Sequence, residues 1–338
     1  VGESGSGKSI TALSVLRLLP AGASLKAAGI CLNGENLLVW PESGVCNIRG
    51  RRIAMIFQDP MTSLNPVRTI GGQVAEVIQL HFSLPGKDAR EKAMVLLRQV
   101  EIPEPERRYH EYPHQLSGGQ RQRVMIAMAL AGEPDLLIAD EPTTALDVTI
   151  QEQILKLLKS VQQQTGMALW LISHDLSLVS NVADRIAVMQ RGKIVESGEI
   201  SEFFGNPQHP YTHKLLNALP SMDSCLGREV SDRQPLLQVE DFRVYYPIRK
   251  GIFKRVVDHV KAVDGVNFSL QQGKTLALVG ESGCGKTTLG KGLLNLIDDA
   301  AGKVILEGVE LGLLHGESLR QKREDMQIVF QDPFSSMN

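Results

Sequence analysis

The stretches GESGSGKS (residues 2–9) and GESGCGKT (residues 280–287) both fit the pattern GxxxxGK[ST]. Glycines at these spacings permit a tight loop whose backbone N–H groups converge on one phosphate. A helix that begins at the lysine adds the positive end of its dipole. Gly2, Glu3, Ser4, Gly5, Ser6 and Gly7 are expected to form the first cradle, and Gly280, Glu281, Ser282, Gly283, Cys284 and Gly285 the second. Lys8 and Lys286 are expected to reach the β- and γ-phosphates of a nucleotide. The hydroxyls of Ser9 and Thr287, the latter followed by Thr288, would face Mg2+. One such match can be a chance Gly-rich turn; two at repeat-equivalent positions point to nucleotide binding.

The repeat extends outward from these loops. VGESGSGKSITALSVLRLL (1–19) aligns with VGESGCGKTTLGKGLLNLI (279–297), and IAMIFQDPMTSLNP (53–66) with QIVFQDPFSSMN (327–338). Lys8 to Gln58 is 50 positions and Lys286 to Gln331 is 45, so one copy carries a small insertion, expected in LVWPESGVC (38–46). A tandem of two α/β domains follows, each with a mixed sheet and a helical subdomain: 1–220, a polar linker 221–235, and 236–338. The second opens with LLQVEDFRVYY (236–246), AVDGVNFSL (262–270) and TLALVG (275–280), which read as short strands separated by Gly-containing turns. TLALVG is taken as the strand that delivers the second loop.

Composition narrows the class. A chain of 338 residues suits about two domains of ~150 residues each, and 43% hydrophobic with 22% charged residues is ordinary for globular proteins. Lys+Arg 36 against Asp+Glu 38 offers no broad attraction for a polyanion, so no nucleic-acid partner is expected. Cys31, Cys46, Cys225 and Cys284 form no CxxC pair, so neither a zinc site nor a disulfide framework is expected. No apolar run reaches the ~18 residues of a membrane helix.

Three further stretches carry chemistry. PDLLIADEP (134–142) is an apolar strand ending in two carboxylates, placed where ligands bind at the carboxyl edge of a parallel sheet. Asp140 is expected in the Mg2+ shell, and Glu141 to orient and deprotonate the attacking water. MALWLISHD (167–175) repeats that geometry and aims His174 at the γ-phosphate or its water. In LSGGQRQRVMIAMAL (116–130), Ser117, Gly118, Gly119 and Gln120 open a helix as a second anion-binding turn, followed by methionines that read as core.

At these residues the chain resembles the ATP-binding cassette (ABC) ATPases over its whole length. The resemblance implies that the LSGGQ turn of one domain caps the ATP on the partner's P-loop, in a sandwich of two domains or of a homodimer. It implies that Gln58 and Gln331 contact Mg2+ or water and signal to a membrane partner, and that Asp147 lies in the loop crossing between domains. It also implies that an aromatic stacks on adenine: Tyr246, with Tyr245 the alternative. FQDPMTSLNP and NPQHPYTHKLLNALP (206–220) look like the peptide-importer branch, and the stretch opening the second domain (YYPIRKGIFKRVVDHVKAVDGVNFSL) looks most like the microcin C type. His209 and His213 lack a third ligand, and Cys225 stands without the clustered cysteines of an iron–sulfur site, so neither metal is expected.

The resemblance therefore implies an ATP-hydrolysing subunit, using ATP and Mg2+, peripheral on the cytoplasmic face of the inner membrane. Its partners would be transmembrane permease subunits, with a substrate-binding protein in the complex. The segment 59–115, including DAREKAMVLLRQV with Ala89, Ala93, Leu96, Leu97 and Val100 on one face, would turn toward those subunits. The rival is a soluble ABC ATPase of DNA repair or translation; a third possibility, a non-catalytic regulatory pair, is disfavoured by the intact Glu141 and His174. Both copies read as cut at one end, so a chain of these 338 residues alone is expected to hydrolyse ATP poorly.

Overall fold

The computed structural model describes residues 1–58, 63–144, 146–218, 235–250, 255–281 and 283–330. Its contacts divide the chain into two compact units, Val1–Ser224 and Cys225–Asn338.

In the first unit, α1 (Lys8–Val15) leads to a small hairpin of β1 (Cys31–Leu32) and β2 (Glu35–Asn36), then α2 (Glu42–Ile48) and β3 (Ile53–Ile56). The helices α3 (Ile70–Phe82), α4 (Gly86–Gln99), α5 (Pro105–Arg108) and α6 (Gly118–Leu130) precede β4 (Leu136–Asp140), α7 (Val148–Thr165) and β5 (Ala168–Ile172). Strands β3, β4 and β5 form a parallel sheet in that order, with Ile53 opposite Leu136 and Asp140 opposite Ile172. Successive residues of β4 point to opposite faces. Leu137 and Ala139 join Val74, Leu97, Ile126 and Leu158 in one core, while Ile138 joins Ala12, Leu16, Val45 and Ile48 in another. A parallel sheet needs this cover on both faces.

The amphipathic stretch expected to be helical is α4, and Ala89, Ala93, Leu96 and Leu97 are all buried on its inner face. Thr69 caps α3 by accepting the Gly72 N–H, which satisfies one of the orphan donors that a helix start leaves.

Beyond β5 come α8 (Leu176–Ser180), a hairpin of β6 (Arg185–Gln190) and β7 (Lys193–Glu199), then α9 (Ile200–Gly205) and α10 (Pro210–Asn217). They share a core of Leu176, Val179, Ile186, Val188, Phe203 and Tyr211. Val1 lies alongside β6: its nitrogen donates to Ala187 O at 2.7 Å, and Met189 N donates to Val1 O at 2.7 Å.

The second unit carries a four-stranded antiparallel sheet in the order β11 (Val309–Glu310), β10 (Ala300–Leu306), β8 (Leu237–Lys250), β9 (Arg255–Leu270). Helices α11 (Lys286–Leu293) and α12 (Gly316–Arg323) accompany it, and Leu289 of α11 packs with Val239, Phe242, Val244, Val263 and Val304.

Four expectations change here. TLALVG is not a strand: among the described residues of this unit no parallel neighbour offers it hydrogen bonds, and Leu276, Leu278 and Val279 are exposed. Nor is any described sheet mixed: that of the second unit is antiparallel for want of such a neighbour, and in the first unit the three-stranded sheet is wholly parallel, with the antiparallel hairpins separate from it. AVDGVNFSL is not a separate short strand. It belongs to β9, where Gly265 (φ +69°) takes up an extra residue opposite β8 as a bulge: Val263 pairs Val244 and Val266 pairs Phe242. The insertion lies mostly before residue 33, not at 38–46. The hairpins β1–β2 and β10–β11 correspond, and Lys8 to Asn33 is 25 positions against 21 from Lys286 to Glu307. The linker lies almost entirely outside the described residues, as do Cys225, Ser282 and Gln331.

Candidate nucleotide-binding and hydrolytic site

The first phosphate loop is fixed by close backbone approach. A Cβ on Gly2 would come within 2.2 Å of Met189 O, so only glycine lets the loop lie against β6. Gly7 at φ +103° turns the chain into α1. Gly192 N, in the β6–β7 turn, donates to Ser6 O at 2.9 Å. Lys8 is buried, and its ammonium donates to Gly2 O at 2.8 Å and Glu3 O at 2.9 Å, curling back over its own loop. Ser6 Oγ is buried with no hydrogen-bond partner.

The second loop repeats this conformation. Gly285 at φ +97° opens α11, and a Cβ there would sit 2.0 Å from Ala262 O. Lys286 donates to Gly280 O at 2.6 Å and Glu281 O at 2.7 Å. Thr287 and Thr288 lie in the first turn of α11, and Cys284 Sγ is 3.5 Å from the Lys286 ammonium.

Across the first unit's sheet edge, β4 ends at Asp140, which is buried. Burial pushes its carboxyl above the usual carboxylate range; the neighbouring Glu141 charge adds to this, while the Ser9 hydroxyl bond and Lys8 pull the other way. Oδ1 of Asp140 has no hydrogen-bond partner. A buried carboxylate with an unsatisfied oxygen, bonded through its side chain to a serine hydroxyl, fits a hard divalent cation such as Mg2+, which takes oxygen ligands.

Glu141 follows at φ +47°, a conformation costly for a non-glycine residue and held by its N–H donating to Ile172 O at 3.0 Å. Its carboxylate gathers three side chains on one oxygen, Oε2. Gln58 Nε2 donates at 3.0 Å, Thr144 Oγ1 donates at 3.0 Å, and His174 Nδ1 lies at 3.2 Å. Among the described residues no hydrogen bond is made to Oε1. Three sheet strands thus deliver Gln58, Glu141 and His174 to one point: Gln58 lies just beyond β3, Glu141 beyond β4 and His174 beyond β5.

Ser117 caps α6 in a reciprocal box: its Oγ accepts Gln120 N at 3.3 Å, and Gln120 Oε1 accepts Ser117 N at 3.1 Å. Ser117 and Gly118 are exposed. This turn packs on the Asp147 loop. A Cβ on Gly119 would meet Ile150 at 2.8 Å, and Asp147 caps α7 by accepting Ile150 N at 2.9 Å. In the second unit Tyr245 gives its hydroxyl to Asp264, while Tyr246 keeps an exposed ring. His209 uses Nδ1 to accept Tyr211 N at 3.1 Å, capping α10.

Two participants escaped the sequence reading. Thr144 is one turn of chain beyond Glu141 in EPTT, and a hydroxyl at that spacing from a candidate base was the available signal. Tyr211, in HPYT, accepts the Glu3 N–H at 3.2 Å; nothing in the linear sequence connects residues 208 apart.

A glycine loop opening a helix, a buried acidic strand end and a carboxylate with converging donors define a P-loop nucleotide-binding domain. The ABC transporter family model matches residues 1–144 and 263–338, and a model described as the oligopeptide/dipeptide transporter C-terminal region matches 195–241. The chain belongs to the ABC transporter family. It is similar to the peptidoglycan transport ATP-binding protein YejF of Agrobacterium fabrum, at 50% identity over all of this chain and 62% of that protein. It is similar also to the glutathione import ATP-binding protein GsiA of Salmonella typhi, at 44% identity over all of this chain and 59% of that one. The chain thus spans about three fifths of the length of these curated relatives. Among solved structures, the ATP-binding cassette MJ0796, a dimer bound to ADP and Pi, superposes with a TM-score of 0.52 at 29% identity, over 59% of this chain and 83% of that one. The structure of cbiO1 of Clostridium perfringens, described as part of the ABC transporter complex cbiONQ, gives 0.53 at 27%, over 65% and 82%. The names of these relatives describe transport and import, not DNA repair or translation.

Proposed function

We propose that the protein is the ATP-binding and ATP-hydrolysing subunit of an importer for peptides or peptide-like compounds, built as two cassettes in one chain. The convergence of Gln58, Thr144 and His174 on Glu141 Oε2 carries the hydrolytic part of this reading. Anchoring one carboxylate oxygen leaves Oε1 to take a proton from the attacking water, as a general base must.

Lys8 and the loop N–H groups hold the β- and γ-phosphates, and His174 braces the base while facing the transferred group. Ser9 and Asp140, with Gln58, are the residues to hold Mg2+, which when bound neutralises charge on the phosphates. In the second cassette Lys286 and Thr287 take the equivalent places, and Gln331 is proposed from its motif alone. Residues 2–9 and 280–288, Asp147 and the exposed ring of Tyr246 are proposed nucleotide contacts, with Ser117–Gln120 capping a nucleotide held by a second cassette.

The names of the relatives, peptidoglycan transport and glutathione import, together with the matched oligopeptide/dipeptide C-terminal region, support a peptide-like cargo. A microcin C-type cargo is the narrower form of this reading, supported by the stretch that opens the second unit. Permease subunits and a substrate-binding protein are the proposed partners, at the cytoplasmic face of the inner membrane. No helix among the described residues is long and apolar enough to cross a membrane.

The test is ATP-dependent uptake of labelled oligopeptide by the full protein assembled with its permeases. Glu141→Gln should lower phosphate release by about 10²–10⁴-fold, the usual worth of a general base, and leave ATP bound. Unchanged turnover would sink the assignment of Glu141; turnover without any peptide uptake would sink the cargo.

A further inference from the structure

We propose that Tyr211 is a positioning residue for the first phosphate loop, and that the segment 208–217 braces that loop from behind through its hydroxyl. The inference rests on the reading of residues 2–9 as a nucleotide cradle and adds a part that the glycine-loop motif does not contain.

Glu3 is the pivot. Its N–H donates to Tyr211 Oη at 3.2 Å, while its carbonyl accepts the Lys8 ammonium at 2.9 Å and Ser6 N at 3.2 Å. When a phosphate draws Lys8 away, two of the three ties at Glu3 remain, and only the one to Tyr211 reaches outside the loop. A loop whose N–H groups must all face one anion gains affinity from being held in that shape beforehand. Without the hydroxyl, the Glu3 amide loses its acceptor and its peptide plane is free to turn.

The brace is itself anchored. The Tyr211 ring is buried, 5% exposed, in the core it shares with Leu176 and Val179 of α8 and Ile186 and Val188 of β6. These are the elements that begin one residue past Asp175 and that flank Val1, so one side chain joins the loop, its supporting strand and the helix after His174. Upstream, the Glu196 carboxylate accepts Gln208 N at 2.8 Å and His209 N at 3.0 Å, and His209 Nδ1 accepts Tyr211 N at 3.1 Å. The chain therefore enters α10 in a fixed direction with the hydroxyl already aimed.

The test uses the full chain carrying Lys286→Ala, so that only the first loop binds. In this background Tyr211→Phe keeps the buried ring and deletes one acceptor. The expected result is a Kd for a fluorescent ATP analogue raised roughly three- to tenfold, the scale of one net hydrogen bond. In nucleotide-free protein, hydrogen exchange should be faster in a peptide covering Glu3, measured where circular dichroism shows the native fold. A Kd unchanged within about twofold overturns the proposal, and so does a raised Kd without faster exchange at Glu3. Adding Lys8→Ala to the background should abolish binding. If binding persists, the cradle reading fails instead, and the two failures are told apart.

Discussion

Replacing Asp140 by Asn should stabilise the nucleotide-free first unit while destroying its use of Mg2+. Asp140 is 4% exposed at the end of β4, and Oδ1 has no partner. Burial disfavours its charge more than the Ser9 hydroxyl and Lys8 favour it. Asn keeps the shape and removes the charge; relief at a functional site of this kind is typically about 1 kcal/mol, which in a unit of this size raises the midpoint by about 2–4 °C. The sign with pH follows from the raised carboxyl. Near its ordinary value of 3.8 the group begins to ionise in the unfolded chain while the folded unit still holds the proton. Wild-type stability therefore falls as pH rises from there through the folded pKa, and the deficit is constant above. The gap between variant and wild type should therefore narrow as pH falls toward the ordinary value of 3.8 and widen as pH rises above it. Tryptophan fluorescence reads the right unit, because both tryptophans, Trp40 and Trp170, lie in it and Trp170 sits beside Ile138 on the strand next to β4. Thermal unfolding is followed with chelator present and no nucleotide. An Asn variant less stable than wild type at neutral pH, or a gap that does not change with acid, refutes the argument.

Thr144→Val should lower turnover of the assembled ATPase by about tenfold, the low end for a hydrogen bond to a charged group, with little change in KM for ATP; a KM effect alone would mean that Thr144 serves binding. Gly132→Ala should destabilise the first unit by about 1–3 kcal/mol, read as a lower urea midpoint by tryptophan fluorescence. Its Cβ would come within 1.7 Å of Gly50 O, and the obstacle is backbone that cannot swing aside.

What could be read from the linear chain was local. The phosphate loops need only glycines, a lysine and a hydroxyl at fixed offsets. LLIAD (136–140) announces a buried strand by its apolar run, and the face of α4 follows from helical periodicity. What escaped was decided by neighbours far along the chain. TLALVG has the composition of a strand, but a strand needs a hydrogen-bonding neighbour, and among the described residues it has none. The insertion was misplaced because alignment by motif fixes the ends of a gap and not its position; pairing of Leu32 with Glu35 and of Leu306 with Val309 located it. Gln58, Glu141 and His174 were each assigned from motifs, yet their meeting on a single oxygen is a property of three adjacent strands. Thr144 and Tyr211 were invisible for that reason: a hydroxyl announces nothing until its acceptor or donor is in place.

The curled lysines have a thermodynamic consequence. Lys8 and Lys286 each begin with two carbonyl acceptors from their own loop. On the proposed nucleotide reading, an arriving phosphate would have to outcompete those carbonyls, and the ammonium would trade one set of oxygens for another. What each lysine contributes to affinity is the difference between a charged and a neutral acceptor. On that reading selectivity among ligands would come from charge, since an uncharged oxygen offers the ammonium no more than the carbonyls it replaces. Each loop is thus tied together by its own ammonium, a cross-link between the two ends of the glycine turn.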